Sequence, residues 1–335
     1  MSDPIWISEQ DVVSMMDIAE AISALEEGLL AEARGEASNM VKTHAEWGKG
    51  STLHAIGAVF PQAGFCGTKT WAHTDGGATP LVILFDSNSG KLLAMIEAFA
   101  LGQMRTGGAS GAATRRLAAE GAEECAIIGT GKQALPQLAA VLAVRPIRRV
   151  RVFGRDEGRR NSFVERVTTE LGVEATAAAS IEEAVLHIPI VTVVTRATQP
   201  IVTAAMLDRG THINAVGAIV PSRAEIAQDV LARSTAIVAD SIPQAQKLSR
   251  EMMEQFGPDA ANWTSVMSLA TLVASGRTRN AGDDLTVFKS LGMGISDLAL
   301  GIELYRKACE RGLGRSFPHP KKVAPRLRAI QHTGA

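Results

Sequence analysis

A glycine-rich hexapeptide, Gly129-Thr130-Gly131-Lys132-Gln133-Ala134, could bind a phosphate group. It follows an apolar strand pattern at 126–128 and opens a helical pattern at 132–143. The first glycine suits a tight turn, the second leaves the backbone bare where a pyrophosphate can approach, and free N–H groups at the helix start favour an anion. This context predicts a site for a nicotinamide dinucleotide, with these contacts: Gly129, Thr130, Gly131, Lys132, Gln133 and Ala134.

The strand that follows this unit bears on the choice between NADP(H) and NAD(H). An acidic residue about 20 positions past the glycine turn would accept hydrogen bonds from the ribose of NAD, but Gly154 stands there. Arg155, with Arg159 and Arg160 after it, could hold a 2′-phosphate through charge-assisted bonds. NADP(H) is therefore preferred. NAD(H) stays possible, because these arginines could equally form a solvated helix face and Asp156 could serve a ribose.

Two polar residues close later apolar strand patterns. Thr195 follows the pattern at 190–194, and Asn214 lies in the pattern at 213–216. The carboxyl ends of parallel strands face the ligand crevice of such a sheet. Both residues are therefore candidates for contact with the cofactor.

The surrounding patterns indicate which elements position these residues. Residues 1–40 predict a helix pair that starts near Ser8 and Asp11, residues 51–97 predict an antiparallel sheet of hairpins, and residues 106–119 predict a helix of small residues. From residue 124 onward, strands and helices alternate, and residues 285–314 are predicted to be helical. The strands are predicted at 126–128, 150–153, 190–194, 213–216 and 236–239, and the helices at 132–143 and 157–171. The predicted fold class is α/β, with a Rossmann-type doubly wound parallel sheet plus an antiparallel-sheet domain.

Composition narrows the class of partner. The chain has 335 residues, 46% of them hydrophobic and 21% charged, which is globular and long enough for two domains. With 34 Lys and Arg against 35 Asp and Glu, it has no global positive field, so we expect a small-molecule partner and neither nucleic acid nor a membrane.

Three scattered cysteines, Cys66, Cys125 and Cys309, predict neither a disulfide framework nor a metal site. The first 17 residues lack the pattern of a secretory signal. A cytoplasmic location is therefore expected.

Several stretches, all in the same order, make the sequence resemble the ornithine cyclodeaminase/mu-crystallin family. They are Gly67-Thr68-Lys69, Met104–Ala112, Gly129–Ala134, Ile213–Gly217 and Thr286–Gly292. The resemblance implies a substrate-binding and dimerisation domain at 1–120, a Rossmann domain at 121–290, and a C-terminal helix and tail at 291–335 that return to the first domain. It also implies a homodimer.

The resemblance assigns roles to residues that composition and spacing alone would leave on the surface. Lys69 and Arg105 match the positions that grip the substrate carboxylate beside the nicotinamide, and they are the predicted catalytic residues. Lys42 corresponds loosely to a second carboxylate-binding arginine, although lysine cannot form a bidentate fork. Two cations in one pocket should lower the pKa of Lys69, which could then also donate a proton. The resemblance places further residues near the cofactor: Thr106, Val216, Lys289 and Gly292.

The family includes ornithine and lysine cyclodeaminases, alanine dehydrogenases, ketimine and pyrroline-carboxylate reductases, and mu-crystallin. Cyclodeaminases carry an aspartate two residues after the glycine that corresponds to Gly217, whereas this sequence has Ile219, which cannot move a proton. We therefore predict an NAD(P)H-dependent ketimine or imino-acid reductase, or an amino-acid dehydrogenase, that moves hydride to or from the α-carbon of a small amino, imino or keto acid.

Two alternatives remain open. One is an ammonia lyase of the cyclodeaminase type, in which Asp240 or Asp297 replaces the missing aspartate. The other is a non-catalytic binding protein like mu-crystallin. His73 and Asp75 follow Lys69 closely and suit a surface turn as well as a pocket wall, so we assign them no role.

Overall fold

A computed structural model describes residues 3–48 and 50–328, which form two β-sheets and the helices that cover them. The strands, in chain order, are β1 (Ile5–Ile7), β2 (Ser38–Asn39), β3 (Thr43–Trp47), β4 (Ser51–Phe60), β5 (Phe65–Thr74), β6 (Gly77–Ala78), β7 (Leu81–Asp86), β8 (Leu92–Glu97), β9 (Glu124–Ile128), β10 (Arg149–Phe153), β11 (Glu174–Ala177), β12 (Ile190–Val193), β13 (His212–Ala215), β14 (Ser234–Ala239), β15 (Val266–Ser268), β16 (Leu285–Lys289) and β17 (Arg315–Ser316).

The helices are α1 (Glu9–Met15), α2 (Ile18–Ala33), α3 (Phe99–Leu117), α4 (Ala134–Leu142), α5 (Glu157–Leu171), α6 (Ile181–Val185), α7 (Gln228–Arg233), α8 (Ile242–Leu248), α9 (Arg250–Phe256), α10 (Leu269–Ser275) and α11 (Gly294–Arg311). Short 3₁₀ turns lie at Ala204–Met206 and Ala260–Ser265. Within the part of the chain that the structure describes, no helix is both long and apolar enough to span a bilayer.

The second sheet has the order β11-β10-β9-β12-β13-β16-β14-β15, and its strand pairs are parallel. The chain runs outward from β9 through β10 to one edge and then returns to β12 on the other side of β9. This reversal creates a switch point between β9 and β12, where ligands bind in doubly wound sheets. β12, β13 and β16 are buried along their whole length, as expected for strands covered on both faces. The Rossmann-type fold predicted from the sequence is confirmed.

The first sheet has the order β17-β1-β8-β7-β5-β4-β2, with β3 paired to β4 and β6 paired to β5. Its hairpins are antiparallel as predicted, and the one difference is that β1 pairs with β8 in parallel. One face of this sheet packs on α11, and an apolar cluster that includes Leu25, Leu84 and Leu298 fills the space between sheet and helices.

The last helix joins the first sheet to the second. α11 contacts α2, α3, β4 and β5, and the segment after it returns as β17 beside β1. A Cβ atom on Gly294 would lie 1.8 Å from the carbonyl oxygen of Gly57, so only glycine lets α11 start this close to β4. α11 and β17 thus lie against the first sheet. The predicted domain divisions stay a prediction, and residues 1–2 and 329–335 lie outside the described residues.

Several predicted boundaries were wrong. The segment Leu285–Lys289, predicted to be the start of a helical tail, is a fully buried central strand of the parallel sheet. Ile5–Ile7 is a strand instead of part of the helix pair, and the helix predicted from residue 106 already begins at Phe99. Short buried strands have no alternating pattern, because both of their faces meet apolar neighbours.

Candidate active site

A buried charge cluster lies where β5, α3 and α11 meet. The Lys69 Nζ lies 2.5 Å from Oδ1 of Asp297, and the Arg105 Nε lies 3.2 Å from the same oxygen. Exposed fractions are 5% for the Lys69 side chain, 19% for Arg105 and 0% for Asp297. A single carboxylate thus faces two cations, which leaves a net positive charge in a largely dry site.

Small residues hold these elements close together. The positive φ of Gly292, +98°, suits glycine, and a Cβ atom there would lie 3.2 Å from the Arg105 Nη1. A Cβ atom on Gly102, one helical turn before Arg105, would lie 4.0 Å from the Lys69 Nζ. Glycines at these two positions therefore leave room for the Lys69 and Arg105 side chains to lie close together.

The environment changes the proton affinity of the lysine. Burial and, to a smaller extent, the charge of Arg105 lower the pKa of Lys69 to about 8, while Asp297 opposes the shift. Burial also lowers the pKa of Lys42, and again the charge of Arg105 adds to the effect. Lys42 precedes β3 and is half-buried, so it supplies a third positive charge to this side of the sheet.

Asp297 entered the sequence analysis only as one of two substitutes for a missing aspartate. Its Oδ2 atom is buried and has no hydrogen-bond donor among the described residues. Its signal in the sequence is weak, because a single aspartate on an amphipathic helix usually faces solvent. Only the packing of α11 on β5 shows that it faces Lys69.

Asp240, the other substitute, fixes the turn after β16. Its Oδ2 accepts hydrogen bonds from the backbone N–H groups of Leu291 and Gly292, both 2.8 Å away, and from the Ser290 hydroxyl at 3.0 Å. Burial raises the pKa of Asp240, and these hydrogen bonds oppose the shift. Asp240 thus sets the turn that places Gly292 against Arg105. Ile219, where cyclodeaminases have their aspartate, is 37% exposed.

The glycine turn lies at the switch point of the second sheet. Gly129 has a φ of +112°, and a Cβ atom there would lie 2.5 Å from the carbonyl oxygen of Val194. A Cβ atom on Gly131 would meet nothing within 4 Å, so the second glycine faces open space. The N-cap residue Gln133 makes no capping bond to α4 with its side chain. The start of α4 can therefore take up a pyrophosphate, as the motif predicts.

Helix packing connects this turn to the charge cluster. A Cβ atom on Gly107, two residues after Arg105, would lie 2.6 Å from the carbonyl oxygen of Pro136 in α4. The Lys132 Nζ lies 6.0 Å from the centre of the Phe99 ring, at the start of α3. The Thr106 hydroxyl donates to the carbonyl of Gly102 at 2.8 Å. Helix α3, which carries Arg105, therefore packs against α4, which follows the glycine turn.

A cavity of about 460 Å³ lies beside Thr130 and the start of α5. Its wall includes Asp156, Gly158, Arg159, Ser162 and Arg166. Asp156 caps α5 by accepting a hydrogen bond from the backbone N–H of Arg159 at 2.8 Å. Arg155 is exposed next to it, whereas Arg160 donates to the carbonyl of Gly154 at 3.0 Å. Of the three predicted arginines, Arg159 is thus the one that lines this cavity.

A buried carboxylate that the sequence analysis missed connects two loops at the carboxyl end of the parallel sheet. Oε1 of Glu225 accepts from the Thr195 backbone N–H at 2.5 Å and from its hydroxyl at 2.9 Å. Oε2 accepts from the N–H groups of Gly217 and Ala218 at 2.6 and 3.0 Å. Burial raises the pKa of Glu225, and the charge of Lys289 opposes the shift. One side chain therefore ties together the loops after β12 and β13.

Three predicted cofactor contacts turn their side chains inward. The Lys289 ammonium is fully buried and lies 2.7 Å from Oε2 of Glu251. The Asn214 amide donates to the Thr114 hydroxyl at 3.0 Å, on the face of the sheet that α3 covers. Val216 is 5% exposed, and its N–H donates to the carbonyl of Val193. These side chains fill the interior, so any contact with a cofactor would come from their backbone, and the predicted contacts stay a prediction.

Two aromatic side chains, Trp71 and His54, lie next to Lys69. The Lys69 Nζ lies 5.0 Å from the centre of the Trp71 ring, and His54 stacks on Trp71 with ring centres 4.7 Å apart. Burial lowers the pKa of His54 to about 4, with a further effect of the Lys42 charge, so this imidazole is neutral at pH 7. His73 and Asp75 are exposed. Across residues 3–48 and 50–328, no group of His, Cys, Asp and Glu side chains is arranged to hold a metal ion.

Comparisons with known proteins agree with this architecture. The sequence model of the ornithine cyclodeaminase/mu-crystallin family matches residues 3–312. A Delta(1)-pyrroline-2-carboxylate reductase of Bacillus cereus is 32% identical over 236 residues, which cover 70% of this chain and 72% of that protein.

Two solved structures are similar over almost their whole length. The Thermococcus litoralis Delta(1)-pyrroline-2-carboxylate reductase in complex with NADH and L-proline superimposes with a TM-score of 0.86 at 27% identity, covering 93% of this chain and all of that one. An archaeal alanine dehydrogenase dimer with bound NAD also has a TM-score of 0.86 at 27% identity, covering 94% of this chain and 99% of that one.

Proposed function

We propose that this chain, which belongs to the ornithine cyclodeaminase/mu-crystallin family, is an NAD(P)H-dependent reductase of small imino acids, with amino-acid oxidation as the reverse reaction. The observation that carries the proposal is the unequal charge at Asp297, where one carboxylate faces Lys69 and Arg105. A substrate carboxylate would restore neutrality. Relatives named as pyrroline-2-carboxylate reductases support a cyclic imine with an adjacent carboxylate as the substrate.

Arg105 would bind the substrate carboxylate. Its Nε lies 3.2 Å from Oδ1 of Asp297 but makes no hydrogen bond within the described residues. A guanidinium presents two parallel N–H groups that fit a carboxylate. Lys69, and Lys42 at the edge of the pocket, would add positive charge on the same side. The α-carbon beside the carboxylate would then face the crevice bordered by the glycine turn.

Lys69 would supply the proton that the reduced nitrogen needs. Bound nicotinamide supplies the hydride for the carbon of the C=N bond. An ammonium whose pKa is about 8 holds its proton at neutral pH and can still release it to an imine nitrogen. Asp297 then stabilises Lys69 when it takes up a proton again. In the reverse direction, neutral Lys69 would accept the proton of the amino acid.

For the cofactor, we propose NADP(H) over NAD(H). Arg159 lines the cavity beside Thr130, and exposed Arg155 adjoins it, so two cations are available for a 2′-phosphate. The similar structures with NADH or NAD support a nicotinamide dinucleotide at this place. Arg159→Ala should raise the KM for NADPH and leave that for NADH unchanged. Equal effects on the KM values for NADPH and NADH would mean that Arg159 does not bind the 2′-phosphate.

A homodimer through the first sheet is part of the proposal. β3 is exposed along its length, and exposed fractions reach 65% at Val41, 48% at Trp47 and 50% at Leu53. Large apolar side chains exposed on neighbouring strands support an interaction site here, and the archaeal relative is a dimer. Light scattering should give twice the chain mass, and Leu53→Arg should return the monomer mass. A cytoplasmic location and the absence of nucleic-acid and membrane partners stay predictions from composition.

The experiment that tests the proposed function follows absorbance at 340 nm. Pyrroline-2-carboxylate, its six-membered homologue, and pyruvate with methylamine would each be offered with NADPH and with NADH. We expect net oxidation of the reduced cofactor with at least one cyclic imine. Release of ammonia from ornithine without net oxidation would instead assign the ammonia lyase, and no turnover with any of these substrates would favour a binding protein.

A further inference from the structure

A second cavity, also of about 460 Å³, lies at the end of the parallel strands opposite to the glycine turn. It is bordered by the end of α3 and by the residues that precede β13 and β16, such as Gly210 and Asp283. The glycine turn follows the carboxyl end of β9, whereas this cavity adjoins amino ends of strands. Arg105 and the end of α3 at Leu117 are about 18 Å apart along the helix axis.

Arginines dominate the wall of this cavity. Five line it, against two carboxylates, Glu120 and Asp283. The arginines are Arg115, Arg116, Arg145, Arg209 and Arg279. Arg115 and Arg116 share one further carboxylate, Glu26, at 2.5 and 2.6 Å. Asp283 is already paired with Arg277 at 3.0 Å, outside the wall. The cavity therefore carries an excess of positive charge.

Two of these guanidinium groups are held by backbone carbonyls instead of carboxylates. Arg145, 7% exposed, donates to the carbonyls of Arg115, Ala118, Ala119 and Val144 at 2.6–2.8 Å. Arg279 donates to the carbonyls of Leu117, Asp283 and Asp284 at 2.8–3.0 Å. Burial lowers the pKa of both side chains. Neither has an ion pair with a carboxylate among the described residues.

This bonding fixes the arginines without neutralising them. Carbonyl groups at the end of a helix carry partial negative charge, which orients a guanidinium but cancels only part of its full charge. Arg209 differs from the others, because it is exposed and makes a single long hydrogen bond, 3.3 Å, to the carbonyl of Gly282. Its remaining N–H groups are available to a ligand that enters the cavity.

We propose that this cavity binds a small oxyanion with two or more negative charges, of the phosphate or polycarboxylate class. The buried guanidinium groups would supply fixed positive charge, and Arg209 would donate charge-assisted hydrogen bonds to the anion from the solvent side. The site is separate from the proposed catalytic crevice, so it does not depend on the reaction that the chain catalyses.

Isothermal titration calorimetry on the full-length chain would test this. Inorganic pyrophosphate and citrate would be titrated separately at constant ionic strength, after saturation with NADPH so that the cofactor's own anion site is filled. We expect saturable binding of one anion per chain, weakened about tenfold by Arg209→Ala, which removes charge-assisted bonds. The tighter of the two anions would tell phosphate from carboxylate recognition.

Arg34→Ala is the matched control, because Arg34 is 58% exposed, paired with Glu36 and remote from this cavity. It should bind the anion as the unmodified chain does. Binding that disappears when NADPH is present would assign the anion to the cofactor crevice and overturn the proposal. Equal weakening in the Arg34→Ala and Arg209→Ala variants, or no saturable binding, would overturn it as well.

Discussion

Two lysine–carboxylate pairs are buried in this protein, and their surroundings differ. Lys69 meets Asp297 at 2.5 Å where β5, α3 and α11 meet, and Lys289 meets Glu251 at 2.7 Å at the end of β16. All four side chains are at most 5% exposed. By distance and burial alone, either pair could belong to a catalytic site.

The hydrogen bonds around each carboxylate separate the two. Glu251 accepts from the N–H groups of Glu225 and Ile226 at 2.6 and 3.2 Å and from the Ser249 hydroxyl at 3.3 Å. Asp297, by contrast, has an oxygen without a donor among the described residues and faces a second cation. Both oxygens of Glu251 therefore have donors, although the Lys289 Nζ makes no hydrogen bond within the described residues and its charge also acts on Glu225. A carboxylate whose oxygens have donors stabilises the fold, whereas one that faces an excess of positive charge favours an added anionic ligand. Burial of a lysine is therefore a poor sign of catalysis unless the charge around it is unequal.

Replacement of Lys69 should have the largest effect on activity. Lys69→Met should lower kcat for imine reduction about 10²- to 10⁴-fold, because both the proton donor and part of the carboxylate site are lost. Steady-state kinetics with pyrroline-2-carboxylate would measure this. Lys247→Met, which changes an exposed lysine of α8, should leave the kinetics unchanged. Near-normal kcat with only a raised KM in Lys69→Met would remove Lys69 as the proton donor.

Replacement of Lys289 should instead lower the stability of the fold. Lys289→Met leaves the buried Glu251 carboxylate without its cation, which should lower the free energy of unfolding by about 3–5 kcal/mol. Urea denaturation would measure the change. The folded fraction should keep its KM for the imine, because the Lys289 ammonium does not reach the crevice. A folded variant with full stability but no activity would place Lys289 in the reaction.

The pH dependence should report Lys69 as well. With a pKa of about 8, Lys69 loses its proton above that pH, so kcat/KM for imine reduction should fall there by about tenfold per unit. An exposed lysine titrates near 10.5, so between about pH 8 and 10.5 the unfolded chain holds a proton that the folded chain lacks. This group's contribution to the free energy of unfolding therefore rises with pH in that range.

A Lys69→Arg variant separates charge from proton donation in this profile, since arginine stays protonated. It should lose most of the imine-reduction rate if Lys69 donates the proton. If the variant keeps full activity with no fall above pH 8, positive charge is all that the position requires.

The neighbouring indole should have the smallest effect. Trp71→Ala removes a ring 5.0 Å from the Lys69 ammonium, and a cation–π contact of this kind contributes about 0.5–2 kcal/mol. We expect the KM for the imine to rise a few-fold. In a Lys69→Met background the same change should have no effect on KM, because the coupling requires the ammonium. Additive effects would show that the two side chains act independently.

Features that depend on neighbouring residues in the sequence are easier to predict than features that depend on distant residues. The glycine turn and the elements beside it lie in one continuous segment, so strand, turn and helix could be predicted together. The structure has them in that order. The hairpins of residues 51–97 follow from alternating apolar runs and turn residues in the same way. Leu285–Lys289 was misassigned because a strand buried on both faces has no alternation.

The charge cluster was only partly predictable, for a physical reason. The resemblance pointed to Lys69 and Arg105, but Asp297 follows Lys69 by 228 positions and reaches it only through the packing of α11. Glu225 and Glu251 look like surface acids in the sequence, and their burial depends on backbone N–H groups from separate loops. Such contacts have no local pattern, so the sequence cannot distinguish a satisfied acid from an unsatisfied one.

The most direct test of the carboxylate account compares pyrroline-2-carboxylate with 1-pyrroline, the same cyclic imine without its acid group. In the unmodified chain, kcat/KM should favour the carboxylate by about 10³-fold or more, because the excess charge of Lys69 and Arg105 then has a partner. Arg105→Ala should remove most of that preference by lowering kcat/KM for the acid alone. If the variant loses kcat/KM equally for both imines, Arg105 does not bind the carboxylate and the account is contradicted.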